Sequence, residues 1–186
     1  MAKRQKRASD LIPHTDAALH VLRERAFLLG KEELDSLEEN SVAYIRFILG
    51  ADEYYGLDYD HVHELLHHLN IAKVPCVPDF VAGVINWRGN LITVVNLNRF
   101  FHPQCLAKEG EFIMVVNVNE LVLGIMIDQI KGNDSYQLDY LTKPLIANSV
   151  KPEYILGLDK SVTAIIDVEV LVTGINQEIK KGLHRI

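Results

Sequence analysis

The sequence predicts a mainly β protein organised as two related barrels, and three observations indicate this fold class. Short apolar runs recur from residue 42 to residue 166 and are separated by turn residues. The long helical periods that a doubly wound α/β sheet needs are missing between these runs. Features of the first half also recur in the second half at nearly constant spacing. Many short strands with few helices are typical of a sandwich or barrel.

The strands are predicted from apolar runs bounded by turn residues. The first hairpin consists of a strand at 42–49, turn residues at 50–53 and a strand at 54–58. The other runs predict strands at residues 84–87, 91–95, 112–118, 121–127, 154–158 and 162–166. We expect only short helices between them.

An internal repeat supports the division into two barrels. Three pairs of residues match between the halves: Gly56 with Gly124, 68 positions apart; Gly83 with Gly157, 74 apart; and Asn96 with Asp167, 71 apart. Near-constant offsets indicate a duplicated unit. We therefore predict a body at 41–176, with a first barrel at about 41–108 and a second at about 109–176.

The ends of the chain are predicted to lie outside this body. Residues 1–40 read as an N-terminal extension with one amphipathic helix, because apolar residues recur every three or four positions between Thr15 and Gly30. Thr15 fits an N-cap position, and Gly30 fits the position after a helix end. Residues 177–186 are predicted to form a C-terminal tail.

Composition and charge exclude several classes of function. The formal net charge of −6 argues against a nucleic-acid partner, because such binding depends largely on Lys and Arg neutralising phosphates. No apolar run approaches the roughly 20 residues that span a bilayer, so direct membrane insertion is not expected. The basic residues at the N-terminus are followed by Pro13 and polar residues rather than by a signal-peptide core. Two widely separated cysteines, Cys76 and Cys105, fit a reducing cytoplasm.

Catalytic and cofactor motifs are missing from the sequence. It contains no GxSxG, GxxxxGK[ST] or GxGxxG pattern, and its acidic residues show no spacing that indicates an acid–base pair. We therefore expect neither an enzyme nor a bound cofactor. One alternative is a metal-dependent hydrolase that uses His61, His63, His67 and His68. The spacing of these histidines is not HExxH, so a solvated strand or loop is favoured over a metal site.

The segment Pro75–Gly89 has the most distinctive composition in the chain. Pro78 can begin a helical turn, and Gly83 lacks a side chain where backbones can pack closely. Asn86 to Asn90 are turn-forming residues, which place Arg88 at the tip of a hairpin. A tryptophan followed by an arginine on a fixed turn is typical of an interface hot spot. A plain hairpin with Trp87 in the core and Arg88 in solvent is the alternative.

These residues, in this order, resemble the CheW-like family of chemotaxis coupling proteins. Residues 55–58 (Tyr-Gly-Leu-Asp) and 62–65 (Val-His-Glu-Leu) are similar to two family elements, and residues 75–89 are similar to its long proline- and glycine-containing signature. In the second half, residues 123–128, 154–157 and 165–167 also resemble family strands. The resemblance covers about residues 41–176. Trp87 stands where the family pattern usually has leucine.

The resemblance implies a fold of two pseudo-symmetric, SH3-like, five-stranded barrels and a non-enzymatic adaptor function. The implied partners are the cytoplasmic tip of a chemoreceptor and the regulatory domain of a CheA-type histidine kinase. Family positions imply partner-binding residues at Val62, Glu64, Gly83, Asn86, Trp87, Arg88 and Gly89. Val62 and Gly83 are expected to line an apolar contact, and Glu64 is expected to pair with Arg88. A structural module without kinase coupling remains an alternative.

Overall fold

The computed structural model describes residues 41–50, 52–67, 70–104, 110–143 and 150–183. The predicted N-terminal helix, His68 and Cys105 lie outside these ranges. Among the helices in the described ranges, none is both long and apolar enough to cross a membrane.

The described residues form strands joined by short helical turns, with one longer helix at the C-terminal end. The strands are β1 (Val42–Leu49), β2 (Glu53–Asp58), β3 (Val62–His67), β4 (Val81–Trp87), β5 (Asn90–Asn96), β6 (Phe112–Val118), β7 (Leu121–Ile127), β8 (Gln129–Tyr136), β9 (Ile155–Leu158) and β10 (Ala164–Ile166). The α-helices are α1 (Leu97–Phe101) and α2 (Val168–Leu183), and 3₁₀ turns occupy Tyr59–His61, Leu138–Tyr140 and Pro152–Tyr154.

The strands form two five-stranded sheets, which confirms the predicted fold class. Sheet I has the order β8-β1-β2-β10-β9, and sheet II has the order β3-β6-β7-β5-β4. Each sheet combines strands from both halves of the chain. The predicted barrels at 41–108 and 109–176 are therefore wrong as contiguous units. Sheet I combines the β1–β2 hairpin of the first repeat with three strands of the second repeat. Sheet II combines the β6–β7 hairpin of the second repeat with three strands of the first repeat.

Strand register confirms the internal repeat despite this exchange. In sheet I, Ile165 of β10 lies beside Gly56 of β2, and in sheet II, Val94 of β5 lies beside Gly124 of β7. Both pairs are parallel, whereas the other pairs in the two sheets are antiparallel. Parallel neighbours need a long crossover connection. The exchange satisfies that requirement, because a hairpin from one repeat inserts beside a strand of the other.

The repeated glycines Gly83 and Gly157 have the same physical explanation. The segment after β3 bridges to β4 through Ala72 and Val84, and the segment after β8 bridges to β9 through Thr142 and Leu158. A Cβ atom on Gly83 would collide with the carbonyl oxygen of Ala72, and one on Gly157 would lie 3.0 Å from the carbonyl oxygen of Thr142. Each glycine therefore lets the segment that follows one edge strand (β3 or β8) pass close to the opposite edge strand (β4 or β9) of the same sheet.

Each sheet buries a core of its own. The core of sheet II contains aliphatic side chains and a methionine: Leu66, Ile85, Ile92, Val94, Ile113, Val115 and Met126. A cluster in sheet I contains Tyr44, Tyr136 and Ile165, with Val42 and Leu141 packed against it. Within the core of sheet II, Ile92 and Val94 of β5 occupy alternate positions, as do Ile113 and Val115 of β6, because one face of a strand repeats every two residues.

Aromatic rings connect the two sheets through α1. Phe101 of α1 packs against Tyr55 of sheet I, with 5.4 Å between ring centroids. The neighbouring Phe100 packs against Phe80, which immediately precedes β4 of sheet II, with 5.1 Å between centroids. Both rings of α1 also contact Tyr154, at 5.6 and 6.3 Å. Large buried aromatic areas of this kind fix the position of one element against another.

Helix α2 continues beyond the predicted end of the body. Residues 177–183 belong to this helix, so the predicted C-terminal tail is wrong for that part of the chain. The reason is that the apolar spacing of the helix continues into this segment: Leu171 and Ile175 are buried and Ile179 is half-buried. Near the helix end, a Cβ atom on Gly182 would lie 2.6 Å from the ring of Pro78, so α2 reaches the segment that precedes β4.

Candidate functional site

The hairpin between β4 and β5 has the tight turn that the sequence predicts. Trp87 pairs with Asn90, leaving Arg88 and Gly89 as a two-residue loop. Their φ angles of 50° and 87° are both positive, as a type I′ turn requires. The Asn86 side-chain oxygen accepts a hydrogen bond from the Gly89 backbone N–H at 2.9 Å. A non-glycine residue with this φ costs roughly 1–2 kcal/mol, so the paired strands on either side must hold Arg88 in its position.

Glu64 is positioned by a bulge in β3. Val62 pairs with Val116 of β6 and Glu64 pairs with Val115, so His63 is an extra residue in the strand. A bulge bends its strand and redirects the neighbouring side chains. The Glu64 side chain is 18% exposed, so it is largely removed from water.

Glu64, Trp87 and Arg88 form a hydrogen-bonded cluster, here named the clasp. One oxygen of Glu64, Oε2, lies 2.7 Å from the Trp87 indole nitrogen, 3.0 Å from Arg88 Nη2 and 3.2 Å from Arg88 Nε. The predicted pairing of Glu64 with Arg88 is therefore confirmed. Glu64 lies on β3, Trp87 ends β4 and Arg88 follows it in the turn; β3 and β4 are the two edge strands of sheet II. The clasp thus joins the edges of that sheet, as closure into a barrel requires.

Trp87 combines the two roles that the sequence left as alternatives. Its ring is half-buried and packs against the core of sheet II. Its N–H donates to Glu64, and the guanidinium carbon of Arg88 lies 5.1 Å from the centre of its ring. The His63 ring meets it edge-on, with 6.3 Å between centroids. Trp87 is therefore both part of the core and the support for the polar groups at the surface.

An exposed leucine adjoins the clasp. Leu91 of β5 is 75% exposed and lies opposite Asn86, next to the hairpin turn. Leu91 begins the strand predicted at residues 91–95 but was not among the predicted site residues. Strand alternation could have identified it, because Ile92 faces the core and its neighbour must face outward. His63, Asn86, Arg88 and Leu91 define what we call the tip surface, which is exposed and carries both apolar and cationic groups.

Val62 and Gly83 have packing roles. Val62 is buried at 8% exposure, and Gly83 is covered by the segment that contains Ile71 and Ala72. The prediction that these two residues line an apolar contact with a partner is wrong, because neither presents a side chain to solvent. Val62 instead begins β3, and Gly83 permits the bridge between Ala72 and Val84.

The histidines of the predicted metal alternative point to different neighbours. The His63 ring lies beside Trp87, whereas the His67 ring packs against Phe112 with 4.7 Å between centroids. His61 lies in the 3₁₀ turn before β3. Within the described ranges, no group of three His, Cys, Asp or Glu residues is arranged to hold a metal ion. The described geometry therefore gives the hydrolase alternative no support.

Asp58 carries a titratable group at the crossing from sheet I to sheet II. It ends β2, and the Tyr136 hydroxyl donates a hydrogen bond to its Oδ2 at 3.2 Å. Burial raises the pKa of Asp58 from its usual 3.8 to about 6, and the hydrogen bond from Tyr136 offsets only part of this effect. Burial, together with the nearby Asp58 charge, also raises the pKa of the Tyr136 hydroxyl. This part of the fold is therefore sensitive to pH.

The corresponding hairpin of sheet I is held by a different carboxylate. Asp159 follows β9 and accepts hydrogen bonds from the Ser161 backbone N–H, the Ser161 hydroxyl and the Tyr44 hydroxyl, each at 2.6 Å. Burial alone would raise the pKa of Asp159, but hydrogen bonds from Ser161, Tyr44 and Thr163 outweigh it and lower the pKa. Both repeats therefore fix the loop between their fourth and fifth strands with a carboxylate. In sheet II this carboxylate lies beside the exposed tip surface.

Comparison with known proteins gives a consistent assignment. The model of the CheW-like domain matches residues 43–176. The chemotaxis protein CheW of Treponema pallidum is 28% identical over 155 residues, which cover 78% of this chain and 89% of that protein. The chemotaxis protein CheW of Klebsiella aerogenes is 27% identical over 135 residues, which cover 70% of this chain and 81% of that protein.

A solved structure has the same fold. The scaffolding protein TtCheW from Thermoanaerobacter tengcongensis superposes with a TM-score of 0.63 at 24% identity, covering 73% of this chain and 90% of that chain. At this identity the likeness concerns the fold. The match of the domain model to most of the described residues, together with the curated relatives, shows that the chain belongs to the CheW-like family of chemotaxis proteins.

Proposed function

We propose that this chain is a chemotaxis adaptor that couples chemoreceptors to a CheA-type histidine kinase by protein–protein binding, without catalysing a reaction. It would bind the cytoplasmic tip of a chemoreceptor and the regulatory domain of the kinase. The relatives named as chemotaxis proteins support the pathway, and the relative named as a scaffolding protein supports a binding function. This function places the chain in the cytoplasm, recruited to receptors in the membrane.

The observation that carries the proposal is the clasp beside the tip surface. Trp87 and Arg88 are residue types that dominate binding energies at protein interfaces, because they combine large contact area with directed polar groups. Arg88 is 66% exposed and Leu91 is 75% exposed, so a partner can reach both residues without rearrangement of the core. The proposed binding residues are Glu64, Asn86, Trp87, Arg88 and Gly89, joined by Leu91.

Signal transfer through such an adaptor needs no chemistry. If one body contacts both receptor and kinase, a change in the receptor alters kinase position through the difference in contact free energy between the two receptor states. The aromatic contacts of Tyr55, Phe80 and Tyr154 with the rings of α1 support this mechanism. They connect sheet I to sheet II, so the two sheets can move as one unit.

Binding measurements on the purified full chain test the proposal. The receptor-tip fragment and the kinase regulatory domain should each bind the wild-type protein. Arg88→Ala should weaken binding of at least one partner by roughly 3- to 30-fold, the range for loss of an exposed interface arginine whose neighbours stay in place. Lys151→Ala is the matched control, since Lys151 is similarly exposed and lies 3.9 Å from Glu153. Neither residue belongs to the tip surface. It should bind like wild type.

Two results would contradict the proposal. If folded Arg88→Ala protein bound both partners with unchanged affinity, the tip surface would not be a binding site. If the wild-type chain bound neither partner, the alternative of a structural module without kinase coupling would be favoured.

A further inference from the structure

We infer that Trp87, through its indole N–H, is the main positioning residue for the Glu64 carboxylate, and that Arg88 is the secondary one. This inference rests on the proposed function where it concerns binding, because it assigns the residue that organises the proposed site. The juxtaposition itself, an indole and a guanidinium on the same carboxylate oxygen, is a property of the folded chain and is testable without a partner.

The distances favour the indole as the stronger donor. Trp87 Nε1 lies 2.7 Å from Glu64 Oε2, within the range of a short charge-assisted hydrogen bond. Arg88 reaches the same oxygen at 3.0 Å from Nη2 and 3.2 Å from Nε. A carboxylate oxygen has two lone pairs, so three donors on one oxygen cannot all bind at full strength. The longer contacts are the weaker ones.

Burial points in the same direction. The Trp87 ring is packed against the core of sheet II, which fixes the direction of its N–H. Arg88 is 66% exposed, so water competes for its guanidinium and its ion pair contributes little to stability. Its long side chain must also lose rotamer freedom to hold Glu64, whereas the Trp87 ring is already immobilised. The indole therefore holds the carboxylate at a lower entropic cost.

The second oxygen of Glu64 and the second terminal nitrogen of Arg88 take no part in the clasp. No described residue forms a hydrogen bond with Glu64 Oε1 or with Arg88 Nη1. With Oε2 fixed by Trp87, Oε1 is held in a defined direction beside the tip surface. This positioning explains how a tryptophan at residue 87 contributes to the site beyond its contact area. Leucine, the usual residue of the family pattern, has no donor.

The single tryptophan of the chain makes the test direct, because an ¹⁵N-labelled sample gives one indole N–H signal. In wild-type protein we expect a hydrogen-bonded indole proton that exchanges slowly with solvent. Glu64→Ala should speed this exchange roughly 10- to 100-fold, as loss of a hydrogen bond to a charged group predicts. Glu64→Gln, which keeps an oxygen acceptor, should restore part of the protection.

Arg88→Ala is the decisive variant. If Trp87 is the main support, the indole proton should stay protected within about threefold of wild type in Arg88→Ala. Exchange as fast as in Glu64→Ala would overturn the inference, because Arg88 would then be holding the carboxylate in place. An unfolded Glu64→Ala protein would not obscure the answer, since Glu64→Gln and Arg88→Ala report on the same signal.

Partner binding provides a second measurement. Replacing Trp87 with benzothienylalanine removes the N–H while keeping the shape of the ring, so a purely packing role predicts no change in affinity. Under our inference the affinity for the partner falls. Combining this replacement with Arg88→Ala should lower affinity by more than the product of the two single effects. The reason is that the Trp87 and Arg88 donors can each partly hold Glu64 when the other is missing. Unchanged affinity with the isostere would overturn the binding part. Failure of wild-type protein to bind would instead refute the proposed function, while the exchange measurement would still decide the positioning role.

Discussion

Replacement of Asp58 by asparagine should stabilise the protein at neutral pH. Asp58 lies at the end of β2, where the chain leaves sheet I, and its Oδ1 is buried without a hydrogen-bond partner among the described residues. Burial raises its pKa to about 6, whereas the unfolded chain should titrate near 3.8. Asparagine is neutral, has nearly the same shape and keeps an oxygen that can accept the Tyr136 hydroxyl.

The size and pH window of this effect follow from linkage. Because the folded-state pKa is raised, the favourable contribution of Asp58 is fully present below about pH 4 and is lost as pH rises through 6. The full rise in pKa corresponds to about 3 kcal/mol at 1.36 kcal/mol per tenfold change in proton affinity. Because the side chain is partly hydrated, we expect about 1–2 kcal/mol of this to appear. Asp58→Asn should therefore be more stable than wild type by that amount at pH 7.5.

Urea unfolding of wild-type and Asp58→Asn protein between pH 4 and pH 7.5 measures this difference. The gain should fall towards zero near pH 4, and at pH 7.5 the melting temperature should rise by about 2–6 °C. Asp139→Asn, at an exposed position, is the matched control and should leave stability unchanged within about 0.5 kcal/mol. If Asp58→Asn were no more stable than wild type at pH 7.5, burial of the Asp58 charge would not be destabilising the folded protein.

Three further substitutions test the packing of the two sheets. Gly83→Ala should lower the free energy of unfolding by at least about 2 kcal/mol in urea titrations, because φ is +147° and a Cβ atom would collide with the Ala72 carbonyl. Gly89→Ala, at φ +87° with no atom within 4 Å of the added carbon, should cost only about 1 kcal/mol, so equal losses would contradict the steric explanation. Asp159→Asn should cost about 1–3 kcal/mol at pH 7, since one amide oxygen cannot replace two carboxylate oxygens that bind Ser161 and Tyr44. If calorimetry showed no loss of stability in Asp159→Asn, these short hydrogen bonds would make no net contribution to the free energy of unfolding.

The repeat could be predicted from the sequence, but the exchange of strands between its halves could not. Gly83 and Gly157 match in the sequence because both positions require a residue without a side chain. At each one a bridging segment passes close to the strand. The apolar runs also located the strands, since alternation and turn residues are local properties. Parallel pairing of β2 with β10 joins residues more than 100 positions apart, as Gly56 with Ile165 shows. No local pattern specifies that partner.

Part of the candidate site could be predicted from the sequence, and the part that was missed again depends on contacts between distant strands. Opposite charges in two signature elements predicted that Glu64 would meet Arg88, and the structure brings them together. The indole donor of Trp87 was missed, because its direction depends on closure of sheet II, which sets β3 beside β4. The assignments of Val62 and Gly83 to a contact surface failed because family position alone does not report burial.

Receptor-dependent activation of the kinase is the most direct test of the proposed adaptor function. Receptor-tip assemblies, a CheA-type kinase and the full chain should be combined, and kinase autophosphorylation followed with and without receptor. We expect the wild-type chain to make autophosphorylation respond to the receptor, Arg88→Ala to reduce the response, and Lys151→Ala to preserve it. If the kinase responded equally to the receptor with and without this chain, although the chain was folded and both other components were active, the adaptor function would be contradicted.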